Sequence, residues 1–172
     1  MTYSYEHPPT LLQVGYLLTR AVGWIMNKTC AFLGNATLFN VKETADKIRQ
    51  AVEDLISHKQ VDTFLVGTKG EFENLSHKIM EQIQFDYPNI KIMLVIAYVK
   101  DLERCPYNFD DVYYPTEVEL SNKRWSISRR NEWIIEQTEY IIACNQYKGR
   151  AYDYCRRAMR KGKEIIEIGE QK

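Results

Sequence analysis

The sequence predicts an α/β fold: a doubly wound, mostly parallel sheet flanked by helices in a three-layer arrangement. Three observations carry this. Short apolar runs of strand length alternate with longer segments whose apolar residues recur at helical spacing. Three of those runs end in a small-residue turn and pass straight into a helical segment: 29–33 into Gly34-Asn35, 61–66 into Gly67-Thr68-Lys69-Gly70, and 140–144 through Asn145 into Gly149-Arg150-Ala151. A further run, 90–99, is apolar almost throughout, as expected of a central strand covered on both faces. Alternation this regular implies a layered parallel sheet.

From residue 29 onward each element has its own warrant. The run 29–33 is the first strand. Asn40 and Glu43 have capping-box spacing, the Asn side chain taking an early helix N–H while Glu43 reaches back. Ala45, Ile48, Val52 and Leu55 mark one face of the helix that follows. After the strand 61–66, Phe72, Leu75, Ile79 and Ile83 mark a second helix, which Pro88 closes. Beyond 90–99, the polar stretch 101–111 with Pro106 reads as a loop and Val112-Tyr113-Tyr114 as a short strand before Pro115. Segment 121–138 is expected to be helical, with Trp125 and Ile134 as core contacts. The run 140–144 is a strand, Ala151, Tyr154, Cys155 and Ala158 mark another helix, and 163–168 is the last strand.

At 172 residues the chain is long enough for one domain with a good core. The expected organisation is a domain over 29–168, an extension over 1–28 and a polar tail over 169–172. Segment 11–26 is mostly apolar, but Arg20 interrupts it and it is too short to span a bilayer. The first ten residues hold no Lys or Arg, so the basic start of a secretory signal is missing. The extension therefore reads as an appended helix or a non-native start, and no membrane partner is expected. Lys plus Arg and Asp plus Glu both number 23, a balance that argues against a general nucleic-acid binder. Four cysteines without paired spacing argue against zinc or a disulfide framework and fit a cytoplasmic location. No metal site and no bound cofactor are expected.

In a parallel sheet the three turns share one edge. Ligands bind at that edge of open α/β sheets, because helix N-termini and free backbone N–H groups converge there. The expectation is a pocket for a small, phosphorylated molecule.

The residues in and around these turns resemble a known family. Cys30-Ala31-Phe32-Leu33-Gly34-Asn35, Phe64-Leu65-Val66-Gly67-Thr68-Lys69-Gly70-Glu71-Phe72-Glu73, Arg129-Arg130-Asn131-Glu132-Trp133-Ile134-Ile135-Glu136, Lys148-Gly149-Arg150-Ala151 and Lys161-Gly162-Lys163 are similar to the YpsA-like branch of the SLOG superfamily. These are Rossmann-like proteins related to the DprA and LOG proteins, and the resemblance spans 29–168. It implies a nucleotide or nucleotide-derived ligand, NAD-derived and cyclic ones included, held by a sensor or binding protein that self-associates as a homodimer or higher oligomer. It also implies an alternative, a LOG-like hydrolase or transferase acting on a nucleotide N-glycosidic bond. The chain departs from the family in three places. Asn35 stands where the first turn commonly has His, Thr68 replaces the second glycine of the second turn, and Gly149-Arg150-Ala151 has one glycine and one hydroxyl fewer than usual. The longer Pro-Gly-Gly-x-Gly-Thr-x-x-Glu motif of the LOG enzymes is absent, which disfavours catalysis more than binding.

The expected ligand-binding residues are Gly34, Asn35, Gly67, Thr68, Gly70, Glu73, Arg130, Asn131, Gly149 and Arg150. Each has a plainer reading. Gly34 and Gly67 also suit tight turns at positive φ. Thr68 and Glu71 have capping-box spacing. Glu73 sits in a first helical turn, where the macrodipole alone favours an acid. As a ligand group Glu73 would grip ribose hydroxyls, or, in an enzyme, stabilise a cationic sugar during glycosidic cleavage. Arg130 offers bidentate donors to phosphate, or surface pairs with Glu132 and Glu136. Asn131 suits a base edge or a loop. Arg150 is either a phosphate contact or a solvated cation. The basic run at 156–161 reads as a solvated helix end, and neither His58 nor His77 has a visible catalytic partner.

Overall fold

The computed structural model describes residues 28–169. Within them one six-stranded sheet runs in the order β4-β3-β2-β1-β5-β6, every neighbouring pair parallel. The strands are β1 (Lys28–Gly34), β2 (Val61–Val66), β3 (Lys91–Val95), β4 (Asp111–Tyr113), β5 (Tyr140–Cys144) and β6 (Glu164–Glu167). The helices are α1 (Val41–Asp54), α2 (Glu71–Asp86), α3 (Lys100–Glu103), α4 (Thr116–Glu119), α5 (Ser126–Gln137) and α6 (Arg150–Arg160). The expected three-layer α/β architecture is present. The expected extension and tail lie, apart from Lys28 and Gly169, outside the described residues.

Strand side chains alternate between two helical layers, which is why the strands read as continuously apolar. Cys30, Phe32, Phe64 and Ile92 pack with Ile48, Val52, Ile79 and Ile83 of α1 and α2. Leu33, Ile141 and Ala143 pack with Ile135, Tyr154, Cys155 and Ala158 of α5 and α6. Ala31, Leu65 and Met93 meet Trp133 and Ile134. The register sets Cys30 beside Phe64 on one side and Tyr140 on the other.

The chain winds outward from β1 through β2 and β3 to β4, then returns to β5 on the opposite side of β1. The direction of winding therefore reverses between β1 and β5, and a crevice opens at such a switch point.

Local chemistry explains where elements begin and end. Asn40 Oδ1 accepts the Glu43 N–H at 3.2 Å, and Asn40 Nδ2 donates to the Glu43 carboxylate at 2.6 Å, closing the expected cap of α1. The Thr68–Glu71 cap does not form: Glu71 Oε2 instead accepts the Leu38 N–H at 2.6 Å, and the Thr68 hydroxyl has no partner among the described residues. The strand expected over 90–99 stops at Val95, because the chain turns at Tyr98, whose carbonyl accepts the Asp101 N–H at 2.9 Å. Ile96 and Ala97 stay buried, but Val99 is exposed, and α3 begins the stretch expected to be loop. The helix expected over 121–138 starts only at Ser126, after a 3-10 turn (Lys123–Trp125) whose Arg124 N–H is capped by Asn122 at 3.1 Å. That turn breaks the helical phase, so Trp125 is exposed under the Arg124 guanidinium, not in the core.

Candidate functional site

Beyond the C-terminal ends of β1 and β5 lies a cleft of about 390 Å³. Its walls come from the β1–α1, β2–α2 and β5–α6 turns and from the start of α5. Gly34, Asn35, Gly70, Glu73, Arg130, Asn131, Gly149 and Arg150 all line it, so most of the expected set converges. Gly67 and Thr68 do not. Thr68 lines a separate cavity, and Gly67 sits behind the Glu73 and Arg130 side chains.

The turns interlock before any ligand arrives. Asn35 is buried; its Oδ1 accepts the Gln146 N–H at 2.7 Å and its Nδ2 donates to the Tyr147 carbonyl at 3.2 Å. Gln146 in turn accepts the Phe39 N–H at 2.9 Å. Asn35 therefore fastens the third turn to the first. Gly70, at φ 90°, lies against the Ala36 backbone, where a Cβ would come within 2.9 Å of Ala36 Cα. Gly34 and Gly67 do not have positive φ, so the tight-turn reading fails for both. They are glycine because side chains occupy the Cβ space: Phe72 Cδ1 at 2.2 Å for Gly34, and Glu73 Oε2 at 2.1 Å for Gly67.

At the back of the cleft Glu73 and Arg130 form a two-pronged ion pair. Arg130 Nη2 donates to Glu73 Oε1 at 2.6 Å and Nη1 to Oε2 at 3.0 Å. The Lys69 N–H adds a bond to Oε2 at 2.8 Å. Asn131 Oδ1 accepts from Arg130 Nε at 3.1 Å and from Nη2 at 2.7 Å. The Arg130 side chain is 1% exposed and that of Glu73 9%. A surface pairing of Arg130 with Glu132 and Glu136 is thereby corrected. Glu132 pairs with Arg129 and Arg157 instead, and Glu136 with Lys161, so the basic end of α6 is a solvated, ion-paired face. A carboxylate has about four acceptor positions. Protein donors fill one on Oε1 and two on Oε2, which leaves Glu73 a single acceptor for a ligand hydroxyl.

The front of the cleft is different. Gly149 caps α6 with no side-chain hydrogen bond, and the helix's first intrahelical bond is Asp153 N–H to the Gly149 carbonyl at 3.2 Å. The N–H groups of Arg150, Ala151 and Tyr152 therefore lack intrahelical acceptors. Arg150 is exposed and makes no ion pair with any described residue, whereas Lys69, also in the cleft wall, is held by buried Asp101 at 2.5 Å. A Cβ on Gly149 would meet nothing closer than 3.6 Å, so the space before the helix terminus is open.

Lys69, Tyr147, Ile127 and Tyr154 also line the wall. The first two lie inside turns visible in the sequence, whereas Ile127 and Tyr154 reach the cleft by tertiary packing: the spacing of Tyr154 marks a helix face, but nothing local assigns either residue to the cleft. Among the described residues no group of three or more His, Cys, Asp or Glu is placed to hold a metal ion, and no helix is long and apolar enough to cross a membrane.

No family model and no curated protein matches the chain. Among solved structures the chain is similar to the Moco carrier protein of Chlamydomonas rheinhardtii, with 11% identity and a TM-score of 0.52 over 84% of this chain and 77% of that one. What the two share is the fold. Both are Rossmann-like parallel α/β sheets.

Proposed function

We propose that the cleft binds a nucleotide or nucleotide-derived ligand, and that the protein is a carrier or sensor of that ligand within the YpsA-like branch of the SLOG superfamily. The observation that carries this is the open N-terminus of α6 with Arg150 beside it, which makes no ion pair among the described residues, at the switch point of the sheet. Backbone N–H groups, the positive end of a helix dipole and an exposed guanidinium converge there, which is the chemistry a phosphate needs. Glu73 Oε1, at the back, has one acceptor left for a ribose hydroxyl. The Rossmann-like neighbour is a Moco carrier protein, which agrees with small-molecule binding.

The same geometry weighs against the N-glycosidic hydrolase or transferase reading. A carboxylate that stabilises a cationic sugar must present negative charge to it. Glu73 is neutralised by Arg130 at two points, and Arg130 is occupied on both its Glu73 and Asn131 sides, so neither is free for the role that reading requires. The test is a thermal-shift panel of AMP, ATP, GTP, NAD, ADP-ribose, cyclic nucleotides and ribose 5-phosphate. A ligand at about a hundred times its Kd adds roughly 2.7 kcal/mol, or about 5–10 °C of melting temperature for a domain of this size. The expected result is a shift of that size with at least one nucleotide and no base released on chromatography. A flat panel on folded protein contradicts binding, and base release contradicts the carrier reading.

A further inference from the structure

A cysteine outside the cleft has a chemical setting that the ligand site does not use. Cys105 lies in the β3–β4 connection, between Arg104 and Pro106, which line a second cavity of about 290 Å³ together with Thr68, Asn74, Asp101 and Tyr107. Its Sγ stands 3.8 Å from Nδ1 of His77, a fully buried residue of α2. The other ring nitrogen, Nε2, is 2.9 Å from the Asn108 carbonyl. A carbonyl only accepts, so Nε2 carries the ring proton and Nδ1 presents a lone pair to the thiol, whose proton has one other acceptor within reach, the Tyr107 carbonyl at 3.6 Å. Burial holds His77 below its ordinary pKa, which keeps the ring in this neutral, accepting form. The Tyr107 ring packs 5.1 Å from the imidazole and fixes its plane. Of the titratable groups facing His77, Cys105 and Tyr107 come from the connection, and Glu81 acts from its own helix.

The other three thiols are placed quite differently. Cys30, Cys144 and Cys155 are buried in the core. Burial pushes Cys144 and Cys155 up to about 11 and Cys30 further still. Thiols in that state are inert, because the thiolate is the nucleophile. Only Cys105 combines partial exposure with a base at hand.

We infer that Cys105 is a modification site, a thiol that reacts with hydroperoxides and other soft electrophiles while His77 accepts its proton. In the reaction with a hydroperoxide, Nδ1 of His77 takes the thiol proton and the sulfur attacks the terminal peroxide oxygen. The S–O bond forms as the O–O bond breaks. Sulfur is oxidised by two electrons to the sulfenic acid, and the departing alkoxide takes the proton from His77 and leaves as the alcohol, or as water when the oxidant is hydrogen peroxide. With an alkylating agent the same thiolate displaces the halide.

The experiment treats the native full chain with hydrogen peroxide in the presence of a sulfenic-acid trap, and separately with iodoacetamide, and maps the products by peptide mass spectrometry. Cys105 is expected to react about tenfold faster than a cysteine in an unstructured peptide at neutral pH, with the other three cysteines labelled only after unfolding. His77→Gln is expected to bring the Cys105 rate down to the peptide value and to shift its pH–rate profile to that of an unassisted thiol. A wild-type Cys105 rate at or below the peptide's overturns the proposal whether or not the variant folds. A folded His77→Gln protein with an unchanged rate and profile overturns the role of the imidazole.

Discussion

Replacing Glu73 with Gln tests the ion pair at the back of the cleft. The substitution preserves shape and removes the charge. Arg130, with its side chain 1% exposed, would keep its two bonds to Asn131 but lose its counter-ion, and the Gln amide would turn an N–H group toward the guanidinium or toward the Lys69 N–H. Removing one partner of a buried pair costs about 3–5 kcal/mol, because the remaining charge is left in a low dielectric. One carbonyl acceptor survives in Gln and Asn131 still shares the load, so the lower end applies, about 3 kcal/mol or about 6–12 °C in melting temperature. Thermal and urea unfolding with unchanged m-value measure it. A second variant separates the buried charge from lost packing. Glu73→Leu combined with Arg130→Met removes both charges and is expected to recover most of the loss, since well-packed apolar replacements of buried pairs are often neutral. A Glu73→Gln protein melting within about 2 °C of wild type refutes the reasoning, because an unpaired buried guanidinium cannot be that inexpensive.

Other expectations follow from the same geometry. Gly34→Ala would drive a Cβ to 2.2 Å from buried Phe72 and should lower the urea-unfolding free energy by about 1–3 kcal/mol; an unchanged midpoint contradicts the packing described. Gly149→Ala, with no neighbour closer than 3.6 Å, should leave stability within about 0.5 kcal/mol of wild type, yet weaken a bound phosphorylated ligand by about tenfold in calorimetric titration. Arg150→Ala should weaken it by a similar factor and flatten the salt dependence of binding, since a charge-assisted bond is worth about 1.5–3 kcal/mol. His77 links stability to acid. Its folded pKa lies below the ordinary value of 6.5, so the unfolded chain binds the proton more readily. Its contribution is therefore complete above pH 6.5 and is lost as pH falls from there toward the folded pKa; a melting temperature measured across that range should show the decline, and His77→Gln should reduce it.

Much of this was legible in the sequence because it is local. The strands expected over 61–66 and 140–144 have those bounds, and Ala151, Tyr154, Cys155 and Ala158 form the buried face of α6 as their spacing requires. The capping box at Asn40 was legible for the same reason, its partners being three residues apart. The convergence of the three turns followed from parallel strands alone. What the sequence concealed depends on distance along the chain. Glu73 and Arg130 are 57 residues apart, so nothing local distinguishes a helix-surface arginine from one locked to a carboxylate of the opposite helical layer. The glycines at 34 and 67 look like turn formers until the Phe72 and Glu73 side chains are seen in the Cβ space. His77 shows no hydrogen-bond partner in its own helix, because those partners, Cys105 and Asn108, come from a connection 28 and 31 residues later. The polar run that hides them reads only as loop.

The most direct test of the central claim is an amide-resolved NMR titration with AMP, the smallest probe carrying base, ribose and phosphate together. The expected result is saturable shifts largest at the backbone N–H groups of Arg150, Ala151 and Tyr152, with smaller ones at Asn35 and Gly70. Saturable shifts clustered elsewhere, or none at millimolar AMP, would contradict a phosphate site at the N-terminus of α6.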